Sequence, residues 1–514
     1  MLSSLFLKKQ FKRNIGRTIV AGIDNGTQST KVVCYDVSSK EILALGQSPH
    51  DMIVGSDGAR EQKAEWWVNA LKSSFDQISP EIKKDIKAIG VSGQQHGFVP
   101  IDSDGNVLYN VKLWCDTSTT VECAEITKKY GGSELLLHDN CNLILPGYTA
   151  SKILWLKTHQ KALYDKLDTI LLPHDYLNYL LTGEKTMECG DASGTALLDI
   201  KNRTWSKKLL KCIDSQRDLS KCLPRLIQSD DIAGHVTKKA ANLFGIPEGA
   251  LVSSGGGDNM QCAIGTGTVT NGVLIASLGT SGTLCGSSNK PIVDPEGNLA
   301  AFCSSTGSWL PLLCTMNCTV SIELARKLFN ISLDEFNQIS AKVPIGSNGV
   351  VIVPFFNGER TPNYPNGKGC ICGLTPDNMK AENIYRASME AAIFGLKLGL
   401  NSFMKLGFDA KEIRLVGGGS KSKLWSQMVA DVCNLPTVSP DVPEAAAFGA
   451  ALQAYWALLK SQGKSTSIEE ITHEHVKTNS NAVYNPISEN VVDYDLAYQK
   501  YLRYVENFKP IFSA

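Results

Sequence analysis

The sequence predicts an α/β protein built from two copies of one domain. Thr18 to Asp36 (TIVAGIDNGTQSTKVVCYD) reads as strand, tight turn and strand, and Ala276 to Leu284 (ASLGTSGTL) repeats the pattern about 250 residues later. The strands and helically spaced segments that follow each stretch come in the same order.

In the first stretch Ile19, Val20 and Ile23 suit a buried strand, and Lys31 to Tyr35 resumes extended structure. Asn25-Gly26 is a dipeptide that supplies positive φ to a two-residue hairpin turn. The turn holds Asp24 at a strand end. The Gly26 amide and the side chains of Thr27, Gln28, Ser29 and Thr30 then put donors at one tip, as in a backbone nest that cradles phosphate oxygens. From there the Asp24 carboxylate can reach a phosphate-bound Mg²⁺. Taken alone the motif is an ordinary turn; the second copy, at Gly279-Thr280, gives it weight. Two such loops in two halves of a chain suggest one nucleotide clamped in a cleft, each half presenting one loop. Ile413 to Ser420 (IRLVGGGS) adds a strand ending in Gly417, Gly418 and Gly419 before helical spacing from Leu424 to Val432. Backbone can approach a base or phosphate closely there, although the run is not G-x-G-x-x-G.

Composition narrows the partners. The chain has 514 residues, 43% of them hydrophobic, with 44 glycines, enough for two or more cores. Its 51 basic residues balance 51 acidic ones, so nothing electrostatic favours nucleic acid or an anionic membrane surface. No apolar run is long enough to span a bilayer. The expected ligands are small molecules. The 15 cysteines are scattered without a Cys-x-x-Cys, which fits reduced intracellular thiols better than a disulfide framework. Cys370-x-Cys372 and the Cys314, Cys318 pair lack histidines at zinc-site spacing.

Met1 to Arg17 carries Lys8, Lys9, Lys12, Arg13 and Arg17 and no acid, with Leu2, Leu5, Phe6, Leu7 and Phe11 interleaved. This is either a short presequence for a mitochondrion or plastid or an untargeted tail on a cytoplasmic protein. Glu41 to Gln47 supplies a third strand. Trp66 to Phe75 has helical spacing, with Trp67, Ala70, Leu71 and Phe75 on the apolar face. Ile86 to Val91 reads as a buried strand whose carboxyl end opens into Ser92-Gly93-Gln94-Gln95-His96-Gly97, and ligands in α/β folds gather at such ends. A lone His96 is an ordinary loop residue; between two glycines and beside two amides it suits recognition of a polyhydroxylated molecule. Asp102 to Asn106 reads as a hairpin turn, since Leu113 stands where a calcium loop needs its glutamate. From its residues alone Trp114 to Thr117 is a strand end before a helix that starts near Thr117. Leu171 to Leu181 is a helix begun by Pro173 and belongs mainly to the core; Asp191 to Thr195 is a loop.

Val252 to Ser254 runs into Gly255-Gly256-Gly257-Asp258-Asn259 and a helix over Met260 to Ile264. The domain boundary is placed here, giving a first domain over 18–254 and a second over 255–514. Asp258 either caps that helix or, after three glycines, meets a ligand hydroxyl as a proton acceptor. The second half then repeats the order, with strands near Gly272 to Leu278, Thr283 to Gly286 and Leu299 to Ser304. Helices follow over Ser321 to Phe329 and Leu333 to Val343, and a strand over Val350 to Pro354. Glu359 and Arg360 read as a structural ion pair in preference to a phosphate contact by the arginine. Further helices cover Ile384 to Leu406 and Ala445 to Lys460, the latter begun by Pro443 and packed through its alanines.

These residues resemble the FGGY carbohydrate kinases, and among them the xylulokinases most, over roughly Thr18 to Ala454. Gly147 to His159 (GYTASKILWLKTH) looks like the first family signature. Gly369 to Glu390 (GCICGLTPDNMKAENIYRASME) looks like the second, with Gly373, Ala387 and Glu390 at matching spacing. Ala391, where relatives usually carry glycine, and Ser422, where several place asparagine, are departures near the nucleotide. The resemblance implies two ribonuclease-H-like domains of the actin and sugar-kinase type, each with a mixed five-stranded sheet, around an ATP and sugar cleft. It implies ATP and Mg²⁺ as cofactors and phosphorylation of a ketopentose, D-xylulose first, to the 5-phosphate that feeds the pentose phosphate pathway. Kinases of ribulose, gluconate or glycerol, or a non-catalytic sugar binder, are the alternatives. Asp258 would be the catalytic base, with Gln95, His96, Asp258 and Asn259 on the sugar, and the segment beginning at Trp114 would line the sugar pocket rather than merely end a strand. Gly26, Thr27, Gly279, Thr280, Gly418 and Gly419 would hold the nucleotide, and Asp24 the metal. The partners implied are sugar and ATP, with neither nucleic acid nor membrane, and a homodimer is left open.

Overall fold

The computed structural model describes residues 17–364, 366–442 and 444–512. The basic segment up to residue 16 and the proline expected to open the last alanine-rich helix, Pro443, lie outside the described residues.

The first sheet is laid down by β1 (Ile19–Asn25), β2 (Ser29–Asp36) and β3 (Glu41–Pro49), an antiparallel meander. β4 (Ile86–Gly93) joins β1 in parallel. β5 (Ile232–His235) and β6 (Leu251–Ser253) complete the order β5-β6-β4-β1-β2-β3, and the two-residue β7 (Gly256–Gly257) also pairs with β4. The second sheet is built the same way. β8 (Val273–Leu278), β9 (Gly282–Gly286) and β10 (Leu312–Thr315) form an antiparallel meander. β11 (Glu412–Val416) and β12 (Thr437–Pro440) follow in parallel, and β13 (Thr478–Tyr484) closes the edge antiparallel. From the meander outward both sheets therefore run antiparallel, antiparallel, parallel, parallel, antiparallel, and the duplication expected from the two glycine-threonine turns is present in the topology. The sheets have seven and six strands rather than five. The third strand of the second sheet is Leu312–Thr315; the expected strand over Leu299 to Ser304 makes only isolated bridges at Ala300 and Cys303.

Helices cover the sheets where the sequence alternates. In the first unit α1 (Ala64–Asp76) buries Trp67, Leu71 and Phe75 on the face that carries Ile19, Ala21 and Ile23. α2 (Thr149–His159), α3 (Pro173–Thr182) and α4 (Asp258–Gly265) surround the carboxyl end of β4. In the second unit α5 (Ala381–Lys405) and α6 (Lys423–Cys433) pack on a core that includes Leu274, Ile413 and Trp425. The chain then returns to the first sheet with α7 (Ala445–Ser461), whose Phe448, Ala451 and Leu452 cover Val20, Tyr35 and Ala88 on the face opposite α1. Gly22 and Gly90 are cross-strand partners beneath α7. A Cβ at Gly22 would lie 1.7 Å from the Ala447 carbonyl oxygen, and one at Gly90 would lie 2.0 Å from that of Ala450. Backbone lies on backbone there, so only glycine fits.

This return changes the expected division. The first compact unit comprises 17–269, Phe302–Trp309 and Val442–Val476, and the second Thr270–Ala301, Leu310–Asp441 and 477–512. A boundary after residue 254 would cut β7 from β4 and α4 from α7. α4 and α7 meet through Gly265 and Gly449, where a Cβ would fall 1.9 Å from the Ala445 oxygen and 1.8 Å from the Gln261 oxygen, respectively.

Candidate active site

The first unit gathers its polar residues at the carboxyl ends of β1, β4 and β7. Strand pairing puts Asp24 beside Ser92 and Ser92 beside Gly256, with Asn25, Gly93 and Gly257 one step further along. Asp258, at the start of α4, thus emerges two strands from Asp24, about 10 Å measured along the backbone. The Ser92 hydroxyl donates to Asp24 Oδ1 at 2.9 Å. Asp258 Oδ1 accepts from the Asn259 amide at 2.8 Å and from Asn259 Nδ2 at 3.1 Å, while Oδ2 accepts nothing among the described residues. Asn259 Nδ2 also donates to Gln95 Oε1 at 2.9 Å, so two of the expected sugar ligands are joined directly.

Electrostatics single out Asp258. Burial, then the charges of Asp24 and Asp191, push its carboxyl up to about 7. Burial also raises Asp24, against the Ser92 hydrogen bond and the charge of Lys31. Lys31 does not neutralise the pair, because its ammonium is engaged by Glu444 at 2.6 Å. A half-buried carboxylate with a proton affinity near neutrality is suited to general-base work.

The hairpin tip differs from its expected form. β1 ends at Asn25 and β2 begins at Ser29, which leaves a three-residue tip of Gly26, Thr27 and Gln28. Neither Asn25 nor Gly26 adopts positive φ. The Gly26 N–H closes the turn on the Ser29 carbonyl at 3.1 Å, so it is not a free phosphate donor. The Thr27 hydroxyl accepts from Trp114 Nε1 at 3.0 Å, which leaves its proton to be donated. Gln94, fully buried, ties this tip to Gln62 at 2.8 Å. In the second unit the tip is again three residues, Gly279, Thr280 and Ser281, and Gly279 N–H closes on the Ser281 carbonyl at 3.2 Å. Thr280 is exposed. The three-glycine run lies beside it, since β8 and β11 are parallel neighbours that end at Leu278 and Val416. A Cβ at Gly418 would meet open space, whereas one at Gly419 would strike the Trp425 ring at 2.2 Å. Gly418 is therefore the accessible member and Gly419 a packing residue. Ser277 occupies in this copy the strand position that Asp24 has in the first, so the carboxylate is not duplicated.

His96 sits at the mouth of the β4 loop with φ of +66° and 9% exposure. Its ring lies against Tyr148 at 4.7 Å and Phe302 at 5.8 Å between centroids. A Cβ at Gly194 would lie 2.1 Å from His96 Nδ1.

Sequence reasoning overlooked the charged layer beneath this surface. His174 is enclosed between Asp191 at 2.7 Å and Asp175 at 2.9 Å, all three buried. Burial opposes charge on the imidazole, but the two aspartates overcome it and raise His174 well above its ordinary value. Glu188 accepts from the amides of Gly190 and Asp191 and from Ser305, and burial pushes it up to about 7. Asp191 Oδ1 would touch a Cβ at Gly257, next to Asp258. The segment Asp191 to Thr195, expected to be a loop, is helical turns that fold these groups inward. The one available signal was His174-Asp175 directly after the helix-starting Pro173. Glu359 and Arg360 form no ion pair among the described residues; Glu359 is buried and braces the amides of Met316 and Arg360 at 2.6 and 2.8 Å.

Two family profiles match this chain: the N-terminal domain of the FGGY family of carbohydrate kinases over residues 19–265, and its C-terminal domain over 262–458. The chain belongs to the FGGY family of carbohydrate kinases. The xylulose kinase of Haemophilus influenzae is 41% identical over 491 residues, spanning 94% of this chain and 99% of that protein. The crystal structure of a xyloylose kinase from Brucella ovis superposes with a TM-score of 0.88 at 26% identity, covering 96% of this chain and 100% of that one. A gluconate kinase from Lactobacillus acidophilus shares the fold, with a TM-score of 0.89 at 23% identity over 96% of this chain and 98% of that one. As an FGGY kinase the chain uses ATP to phosphorylate a carbohydrate. Among its described residues no helix is long and apolar enough to cross a membrane.

Proposed function

We propose that this FGGY kinase phosphorylates D-xylulose on its fifth-carbon hydroxyl, giving D-xylulose 5-phosphate and ADP. The observation that carries the reading is Asp258, a carboxyl held up to about 7 by burial and neighbouring charge, with one oxygen uncommitted and Asn259 and Gln95 linked beside it. The Haemophilus influenzae relative, a xylulose kinase, supports the choice of sugar.

Asp258 Oδ2 receives the proton of the fifth-carbon hydroxyl as that oxygen bonds to the γ-phosphorus. The bond from the γ-phosphorus to the bridging oxygen of ADP breaks, and ADP carries away the electron pair. Gln95, His96 and Asn259 orient the ketose by hydrogen bonds to its other oxygens, so the entropic cost of alignment is met on binding. In the first unit the Thr27 hydroxyl is the group left to donate to a phosphate; in the second, the exposed Thr280 and the open backbone at Gly418 are the groups left to meet a nucleotide.

The donor set suits Mg²⁺. Asp24 offers a hard oxygen, its charge adds to that of Asp258, and Lys31, the cation whose charge acts on it, is paired with Glu444. Among the described residues no cluster of three ligating side chains occurs, as befits an ion that takes one or two carboxylates and fills its shell with phosphate and water. When bound it neutralises charge on the phosphoryl oxygens. The 15 cysteines are all free thiols, which accords with a cytoplasmic location.

The test is a substrate panel with purified protein, read by ADP release. D-xylulose should give the highest kcat/KM among xylulose, ribulose, gluconate and glycerol; a tenfold preference for any other would replace the assignment.

A further inference from the structure

The buried ammonium of Lys152 has no counter-ion among the described residues. Lys152 lies in the first turn of α2 and has 0% exposure, yet no carboxylate stands within ion-pair distance of it among the described residues. Asp116, the acid that acts on it most, is already committed to Lys112, the Arg60 amide and Ser118. A desolvated charge of this kind is costly and is replaced by an apolar side chain without loss in many cores. Burial pushes the Lys152 ammonium down to about 7, against the pull of Asp116 and Cys115.

Its hydrogen bonds show what the cost secures. Nζ donates to the His96 carbonyl at 2.8 Å and to the Gly147 carbonyl at 2.7 Å. Thr149, one turn earlier on the same face of α2, donates its hydroxyl to the same His96 carbonyl at 3.1 Å. His96 is a non-glycine residue in the left-handed region, a conformation that persists only where its surroundings enforce it. The second carbonyl belongs to the loop that carries Tyr148, whose ring packs on the imidazole. One amine thus fixes both the backbone that aims the His96 ring and the loop that backs it.

We infer that Lys152 is a positioning residue for sugar selection: together with Thr149 it clamps the His96 carbonyl and so holds the imidazole in the orientation that binds the ketose. The inference rests on the reading that His96 contacts the sugar, and the two are separable by experiment.

The variants are Lys152→Met, Thr149→Val, His96→Ala and the Lys152→Met/His96→Ala double, each assayed for D-xylulose KM, ATP KM, kcat and thermal midpoint. Losing one neutral hydrogen bond weakens an interaction by roughly three- to tenfold. Lys152→Met and Thr149→Val should each raise the xylulose KM by about that factor, with kcat within about twofold and ATP KM unchanged. In the double variant the KM should equal that of His96→Ala, because the clamp has no ring left to aim. A purely structural lysine would instead lower the thermal midpoint and leave the sugar KM alone. If His96→Ala raises KM and Lys152→Met does not, or if the two effects multiply in the double variant, the positioning role is overturned while the sugar-site reading stands. If His96→Ala leaves KM unchanged, the sugar-site reading itself falls. Should Lys152→Met fail to fold, Thr149→Val, which removes one bond from the same carbonyl, decides the matter by the same readouts.

Discussion

Replacing Asp258 with Asn should separate activity from stability in opposite directions. The amide keeps the size and the hydrogen bonds to Asn259 but cannot take a proton, and general-base contributions are worth about 10² to 10⁴ in rate. Turnover on xylulose should therefore fall at least about a hundredfold, near 3 kcal/mol of barrier. Stability follows from the same electrostatics. The Asp258 carboxyl rises from 3.8 to about 7 on folding. A carboxyl with a raised folded value is penalised once ionised, by up to about 4 kcal/mol for this interval. The penalty is absent below the unfolded value, grows as pH rises through the interval and is complete above about 7. The Asn variant never carries it. Its thermal midpoint should match the parent near pH 4 and exceed it by a few degrees at pH 8, measured by calorimetry at both values. In the parent, kcat/KM for xylulose should fall about tenfold per pH unit below 7 as the base becomes protonated. A variant that keeps near-normal turnover would remove Asp258 from the chemistry, and one that loses stability equally at both pH values would refute the charge argument.

Asp24→Asn retains a partner for Ser92 but removes a charge that raises Asp258; the Mg²⁺ concentration for half-maximal rate should rise at least about tenfold, and the acid limb of kcat/KM should move to lower pH. Chelating Mg²⁺ should abolish turnover of the parent, and activity surviving chelation would contradict the metal assignment. Gly194→Ala places a Cβ 2.1 Å from His96 Nδ1 and must displace the ring; xylulose KM should rise about three- to tenfold while ATP KM and the thermal midpoint hold, and an unchanged sugar KM would show that the ring position does not matter. Gly90→Ala drives a methyl into the Ala450 carbonyl, where neither backbone can yield; unfolding in urea should show a loss of about 3 kcal/mol or more, and a loss below about 1 would mean that α7 rides loosely on the sheet.

Much of this protein is determined locally. The two glycine-threonine turns, the alternating strands and the helix spacing are short-range patterns, and they sufficed for the duplicated α/β architecture, the strand-end loop at Gln95 and His96, and the aspartate after three glycines. The apolar run of a strand marks what is buried, so Ile19, Val20 and Ile23 were legible as core without knowing what would cover them. Only the tertiary structure decided the rest, because it depends on contacts between residues far apart in sequence. The alanine-rich helix after residue 444 looked like part of the second half, yet paired glycines at 22 and 90 open a groove that admits its backbone, and burial of Phe448 holds it on the first sheet. The Gly26 amide looked available until the three-residue tip turned it onto Ser29. Lys152 stood out only as part of a signature stretch and His174 only as part of a core helix; what each does follows from its partners, the His96 carbonyl in one case and Asp191 with Asp175 in the other. A buried charge must find compensation wherever the fold supplies it, and no local pattern records where that will be.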